Sequence, residues 1–147
     1  MISDTWYSEI ESTIFTLLQY VLVEKSDAPY PTLNCTTSSQ NESLENVDDF
    51  PALYVHLMPA IEIGNDLYGE DIAAVRATVE LQVFSDKSED ESRKIMNACI
   101  KEMKKLHFKV SMFPDPQTKD KKYFAIARFT RIVASGDSDI VSKELSD

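Results

Sequence analysis

The chain predicts an α+β domain, a mainly antiparallel sheet with two helices packed on one face, in the order α-β-β-β-α-β-β. Three observations predict it. Ala73 to Phe84 alternates strictly, with Val75, Ala77, Val79, Leu81 and Val83 on one side and Arg76, Thr78, Glu80 and Gln82 on the other, the period of a half-buried strand. Ser88-Glu89-Asp90-Glu91 then supplies a capping box, and the helix it opens presents Ile95, Cys99, Met103 and Leu106 on one face. Near the N-terminus, Trp6, Ile10, Ile14, Leu17, Leu18 and Val21 recur at helical spacing. Helix stripes and strand alternation together predict a shared core of Trp6, Ile10, Ile14, Leu17, Val79, Leu81, Val83, Ile95, Cys99 and Met103.

The first helix is expected from Asp4 to Val23, capped by Ser3 or Asp4. Phe15 and Leu22 fall off its main stripe, as on a helix that packs against more than one element. Pro29 and Pro31 stop it by biasing their predecessors away from helical geometry. Thr32 to Thr37 reads as a short edge strand, and Ser38 to Asp49 as a polar, acidic loop without a period. Phe50 to Met58 is a strand apolar on both faces, suited to the middle of a sheet or to cover by another chain.

Pro59 to Asp71 reads as a long hairpin loop, with Ile61, Ile63, Leu67 and Tyr68 set among Gly64-Asn65-Asp66 and Gly69. Long loops with apolar residues of their own are usually functional, so this one is expected to be mobile until a partner orders it. After the second helix, Phe108 to Phe113 alternates and Pro114-Asp115-Pro116 ends the strand. Lys119-Asp120-Lys121-Lys122 is a charged turn, and Tyr123 to Val133 the last strand. Residues 1–134 are thus expected to form one domain, followed by an acidic C-terminal tail at 135–147.

Among 147 residues the formal net charge is −10, which opposes unaided binding to phosphate backbones. Cys35 and Cys99 read as free thiols suited to a reducing cytoplasm. No apolar run approaches a membrane span, and the start of the chain lacks the basic region of a signal peptide. Motifs for chemistry are not evident. His56 and His107 stand apart with no HExxH or CxxC spacing, and the glycines, Gly64, Gly69 and Gly136, write no phosphate-binding loop. The acidic residues Glu89, Asp90 and Glu91 are explained by their place at a helix N-terminus. No catalytic, cofactor-binding or metal-binding residue is therefore assigned. Basic residues concentrate late in the chain: Lys101, Lys104, Lys105, Lys109, Lys119, Lys121, Lys122, Arg128 and Arg131. Such polarity suits head-to-tail pairing of like subunits, or simply a solvated helix face and turn.

Three segments carry a family resemblance. Val79-Glu80-Leu81-Gln82-Val83-Phe84-Ser85-Asp86-Lys87 resembles the V-x-V-F-S-N/D-K strand end of small phage tail-completion and tail-terminator proteins. Met103-Lys104-Lys105-Leu106-His107-Phe108 is similar to their M-x-x-L-x-F segment, and Tyr123 to Arg131 to their closing R-x-x-R/Y strand. The likeness spans Phe50 to Val133 and rests on structural motifs. At one position the chain departs from it: the family often has Gly before the phenylalanine matched by Phe108, and this chain has His107.

The resemblance implies a structural virion protein, a ring subunit that caps the tail tube and joins it to the head. It implies assembly in the host cytoplasm as a homo-hexamer, with the tail tube protein and a neck or connector protein as partners. It implies no catalysis and no cofactor, no membrane and no specific nucleic-acid binding. Ile61, Ile63, Leu67, Tyr68, Arg128 and Arg131 are then the candidate subunit or tube interface. The competing expectation is a small ferredoxin-like regulatory or protein-binding module. The two differ at the long hairpin: a ring subunit presents Ile61, Ile63 and Leu67 to a neighbour, whereas a monomeric module folds them onto its own core.

Overall fold

The computed structural model describes residues 9–37, 50–65, 72–119 and 122–134. Helix α1 (Glu9–Gln19) runs directly into a π-helical turn, Tyr20–Glu24. Ile10, Ile14, Leu18 and Leu22 share its inner face and are fully buried, with Leu17 half-buried beside them. Trp6 and the proposed caps Ser3 and Asp4 lie outside the described residues. The helix ends where Tyr30 donates its backbone N–H to the Leu22 carbonyl at 2.9 Å, within the proline-bounded turn.

The described residues form a six-stranded sheet in the order β1-β2-β4-β6-β5, with β3 added to the side of β4. Its strands are β1 (Asn34–Thr37), β2 (Ala52–Leu57), β3 (Ile61–Asn65), β4 (Ile72–Ser85), β5 (Lys109–Lys119) and β6 (Lys122–Ala134). Helix α2 (Glu89–Lys105) lies between β4 and β5 in sequence. The architecture is α+β, as expected, and the antiparallel pairs dominate, but the sheet is mixed because β1 pairs with β2 in parallel. The stretch from 38 to 51 is long enough for the return that a parallel pair needs.

Two further expectations need correction. The order is α-β-β-β-β-α-β-β, because the hairpin segment read as loop contains β3. Ile61, Ile63 and Asn65 pair with Arg76, Ala74 and Ile72, so the backbone of Ile61–Asn65 is ordered by β4 of the same chain rather than waiting for a partner. Nor do Pro114 and Pro116 end β5. It continues to Lys119 through two register shifts, between Val110 and Met112 and between Met112 and Asp115. Proline lacks a donor for a ladder, but β5 is an edge strand, where one side needs none, and irregular register absorbs the rest.

Strand β4 organises the fold. One edge pairs with β6 from Ala74 to Ser85, and the other pairs with β2 and then β3. Val75, Ala77, Val79, Leu81 and Val83 point to the helices and are buried, as the alternation predicts. They meet Ile10, Ile14, Ile95, Cys99, Met103 and Phe129 in one continuous core. Both helices cover this face: α1 packs on β1 and β2, and α2 on β4, β5 and β6. Beyond β1, Leu57 donates its backbone N–H to Glu11 Oε2 at 3.0 Å. The carboxylate thus takes the place of a strand partner where β1 has ended.

The α2 cap is more extensive than the box predicted. Ser88 Oγ accepts the Glu91 N–H at 3.0 Å. The Glu91 carboxylate, however, accepts from Ser85 Oγ at 2.7 Å instead of from the Ser88 backbone. The buried Ser85 hydroxyl in turn accepts the N–H groups of Lys87 (3.1 Å) and Ser88 (3.3 Å). A single hydroxyl therefore joins the end of β4 to the start of α2. At the other end of α2, His107 takes the left-handed conformation, φ 66°, and Phe108 N–H returns to the Met103 carbonyl at 3.1 Å.

Candidate functional site

The sheet face opposite the helices carries the residues that the core does not absorb. Cross-strand register places them in rows, because directly opposed residues point to the same side. One row is Ile61, Arg76 and Ile132, on β3, β4 and β6. Ile61 is 60% exposed and Ile132 54% exposed, with the exposed Arg76 between them. A second row sets Glu80 against Arg128, whose Nε donates to Glu80 Oε2 at 2.9 Å. Gln82 Nε2 donates to the other Glu80 oxygen at 2.7 Å, so that carboxylate is held at both atoms.

Farther along, the same face becomes aromatic. Phe84 stacks between Phe50 and Phe124, with ring centroids 6.4 and 5.3 Å away, and Lys122 Nζ stands 5.0 Å from the Phe50 centroid. Ala52, Tyr54 and Phe84 are buried there. Stacked rings with a cation at one end can resemble a nucleic-acid platform, but Phe84 is only 8% exposed, so its faces are occupied by protein packing. His56 stacks on Tyr54 at 6.1 Å, and its Nδ1 is buried without a hydrogen-bond partner.

The expected interface residues divide. Ile61 is exposed and Ile63 half-buried, both on β3. Leu67 and Tyr68 lie outside the described residues. Arg128 is engaged with Glu80. Arg131 points to the helix side of the sheet, where its Nη1 donates to the Leu106 carbonyl at 2.8 Å. It thereby satisfies a carbonyl that the end of α2 leaves open, and its charge suits the negative end of the helix dipole. Arg128 and Arg131 are therefore on opposite faces of β6 and do not form one patch.

The residues that sequence reasoning did not join meet at the open end of β6. Arg76, His107, Lys109, Thr130, Arg131 and Ile132 line a cleft of about 240 Å³. They come from β4, the turn after α2, the start of β5 and the end of β6, and only the tertiary fold assembles them.

The thiols are set by burial. Desolvation, with a smaller contribution from Glu24, pushes the Cys35 thiol from 9.0 up to about 12. The fully buried Cys99 is raised further, again by desolvation first. Both are free and protonated at neutral pH. Among the described residues no group of three His, Cys, Asp or Glu side chains is placed to hold a metal ion. No described helix is long and apolar enough to cross a membrane.

No protein-family model matches the chain, and no curated protein shows significant similarity to it.

Proposed function

We propose that this chain is a structural virion protein, a tail-terminator or tail-completion subunit that assembles as a ring on the end of a phage tail tube and joins it to the head. The observation that carries the reading is the exposure of Ile61. The β3–β4 hairpin does not fold this residue onto the core of its own chain but leaves it 60% exposed in a row with Arg76 and Ile132. Covering an isoleucine fully is worth about 1.5–3 kcal/mol, so two such residues on one row favour a contact with a second protein surface. The conformation of His107 gives further support. Its φ of 66° is the geometry glycine adopts most readily, and glycine is the residue that the resemblance places there.

The work of such a subunit is done by shape and by paired surfaces, without bond chemistry. The partners in this reading are further copies of the chain, the tail tube protein and a neck protein.

The test is a tube-length assay. Tail tube protein is polymerised with the wild-type chain and with an Ile61→Asp, Ile132→Asp variant whose fold is checked by circular dichroism. The wild type should arrest tube growth at a defined length, and the variant should not. Equal tube lengths with and without the wild-type chain would refute the proposal.

A further inference from the structure

Among the described residues the exposed large apolar side chains stand on two separate surfaces. Ile61 and Ile132 share a row with Arg76, and Phe113, 71% exposed, stands on β5. Register builds the row. Strands β3 and β6 both pair with β4, so the two isoleucines stand two strand spacings apart, about 10 Å, with the exposed Arg76 between them. Arg128 on the same face is turned to the Glu80 carboxylate at 2.9 Å, whereas the residues directly opposite Arg76 are isoleucines on both sides. A guanidinium bracketed by two apolar side chains suits an aromatic ring: the cation meets the ring's face, and the isoleucines cover its edges.

Phe113 is such a ring, and β5 presents it. Met112 pairs with Arg128 and Asp115 with Ile126, so Phe113 and Pro114 together face the single residue Ala127. Two residues against one is a β-bulge, which bends the strand and re-aims its side chains. The ring thereby stands clear of the core that Val110 still packs against. Nor does it reach the row of its own chain. Arg128, opposite Met112, precedes Ile132 by four residues, about 13 Å along β6, which is beyond the length of a phenylalanine side chain. The two surfaces therefore meet only between copies. Contact between two different surfaces of one kind of chain is head-to-tail, the kind that closes into a ring or runs on as a filament.

We propose that Phe113 of one copy seats on Arg76, between Ile61 and Ile132, of the next copy, and that this head-to-tail contact joins the subunits. The proposal rests on the ring reading above for its setting, and it commits the exposed row to a second copy of the chain rather than to the tube protein. The chain itself carries the aromatic side chain that the row fits. Copies of net charge −10 repel one another at long range, so a short-range contact of ring, cation and isoleucines is one that they can make without opposite net charges.

Sedimentation velocity of the full chain over a rising concentration series tests the proposal. The wild type should pass from monomers to species larger than dimers. Phe113→Ser should stay monomeric, and so should an Ile61→Ser, Ile132→Ser double variant. Each of these keeps one of the two surfaces, so mixed together they should pair one to one and go no further. Arg76→Glu should weaken association about tenfold. Phe113→Trp should preserve it, and Lys101→Ser, at an exposed position on α2, should leave it unchanged. The substituted side chains are all exposed, and folding of each variant is checked by circular dichroism and urea denaturation. A wild type that remains monomeric or stops at dimers, association indifferent to Phe113→Ser, or mixed variants that do not pair would overturn the proposal. The tube-length assay separates this contact from the ring reading. A Phe113→Ser chain that arrests tubes as the wild type does refutes the contact and leaves the ring reading standing. Copies that associate through Phe113 without arresting tubes support the contact and refute that reading.

Discussion

Glu80 and Arg128 stand directly opposite each other on β4 and β6, joined by a 2.9 Å contact on the sheet face turned away from α1 and α2. The glutamate side chain is 12% exposed and the arginine 43% exposed, so solvent screens one end of the pair more than the other. Removing Arg128 leaves a mostly covered carboxylate that, among the described residues, keeps the Gln82 amide as its partner. Arg128→Ala should therefore cost about 1 kcal/mol, near the upper end for a screened pair. Urea denaturation measures it, and the cost should shrink in high salt. The Glu80→Gln, Arg128→Ala double variant should be less destabilised than the sum of the single changes. Strict additivity would show that the contact contributes nothing.

Ser85 is the second point where one side chain holds two elements together. Its hydroxyl accepts two backbone N–H groups and donates to Glu91. Ser85→Ala removes the buried hydroxyl that those part-buried N–H groups share and should cost about 1 kcal/mol or somewhat more. The drop appears as a lower urea midpoint with an unchanged slope. Stability equal to wild type would mean that water replaces the hydroxyl without loss.

Leu81 tests the facing of β4. It is fully buried in the core beneath the helices. Leu81→Asp would bury a charge with no partner and should abolish the folded state, read as loss of cooperative thermal unfolding. A folded, cooperative variant would contradict the position of the core.

The thiols predict alkaline sensitivity. The native state holds Cys35 protonated up to about 12, against 9.0 for the unperturbed group. Above pH 9 the unfolded chain loses these protons and the native state keeps them, so the unfolded state binds fewer protons and stability falls as pH rises. The contribution is fully present below pH 9 and is lost progressively towards 12. Cys99, raised by burial in the same direction, adds to the effect. The urea midpoint should drop between pH 8 and pH 10.5, and a Cys35→Ala, Cys99→Ala variant should drop less. Identical slopes would show that other groups govern the alkaline limb.

Much of this fold is legible along the chain, and the parts that are not share a cause. Strand β4 declares itself because Val75 to Val83 alternate without interruption and one face is fully covered. Helix α2 declares itself through Ser88 and its apolar stripe. Strand β3 hides because Ile61-Glu62-Ile63 is short and runs into Gly64-Asn65, residues whose local preference is for turns; only pairing with β4 makes it a strand. Strand β5 reads as broken because a proline's effect depends on whether its strand is central or at an edge, which is a fact of tertiary structure. The cleft is illegible for the same reason. Lys109 and Arg131 stand out as basic residues of the last third, but Arg76 and His107 join them only once four elements converge. Arg128 and Arg131, three residues apart, look like one patch in sequence, yet an odd separation along a strand sends them to opposite faces.

The central claim is the ring on a tail tube, and end-on electron microscopy of tubes grown with this chain tests it most directly. The account predicts a single closed ring at one tube end, hexameric on rotational averaging. Bare tube ends, with the chain remaining monomeric by sedimentation in the presence of tube protein, would contradict it.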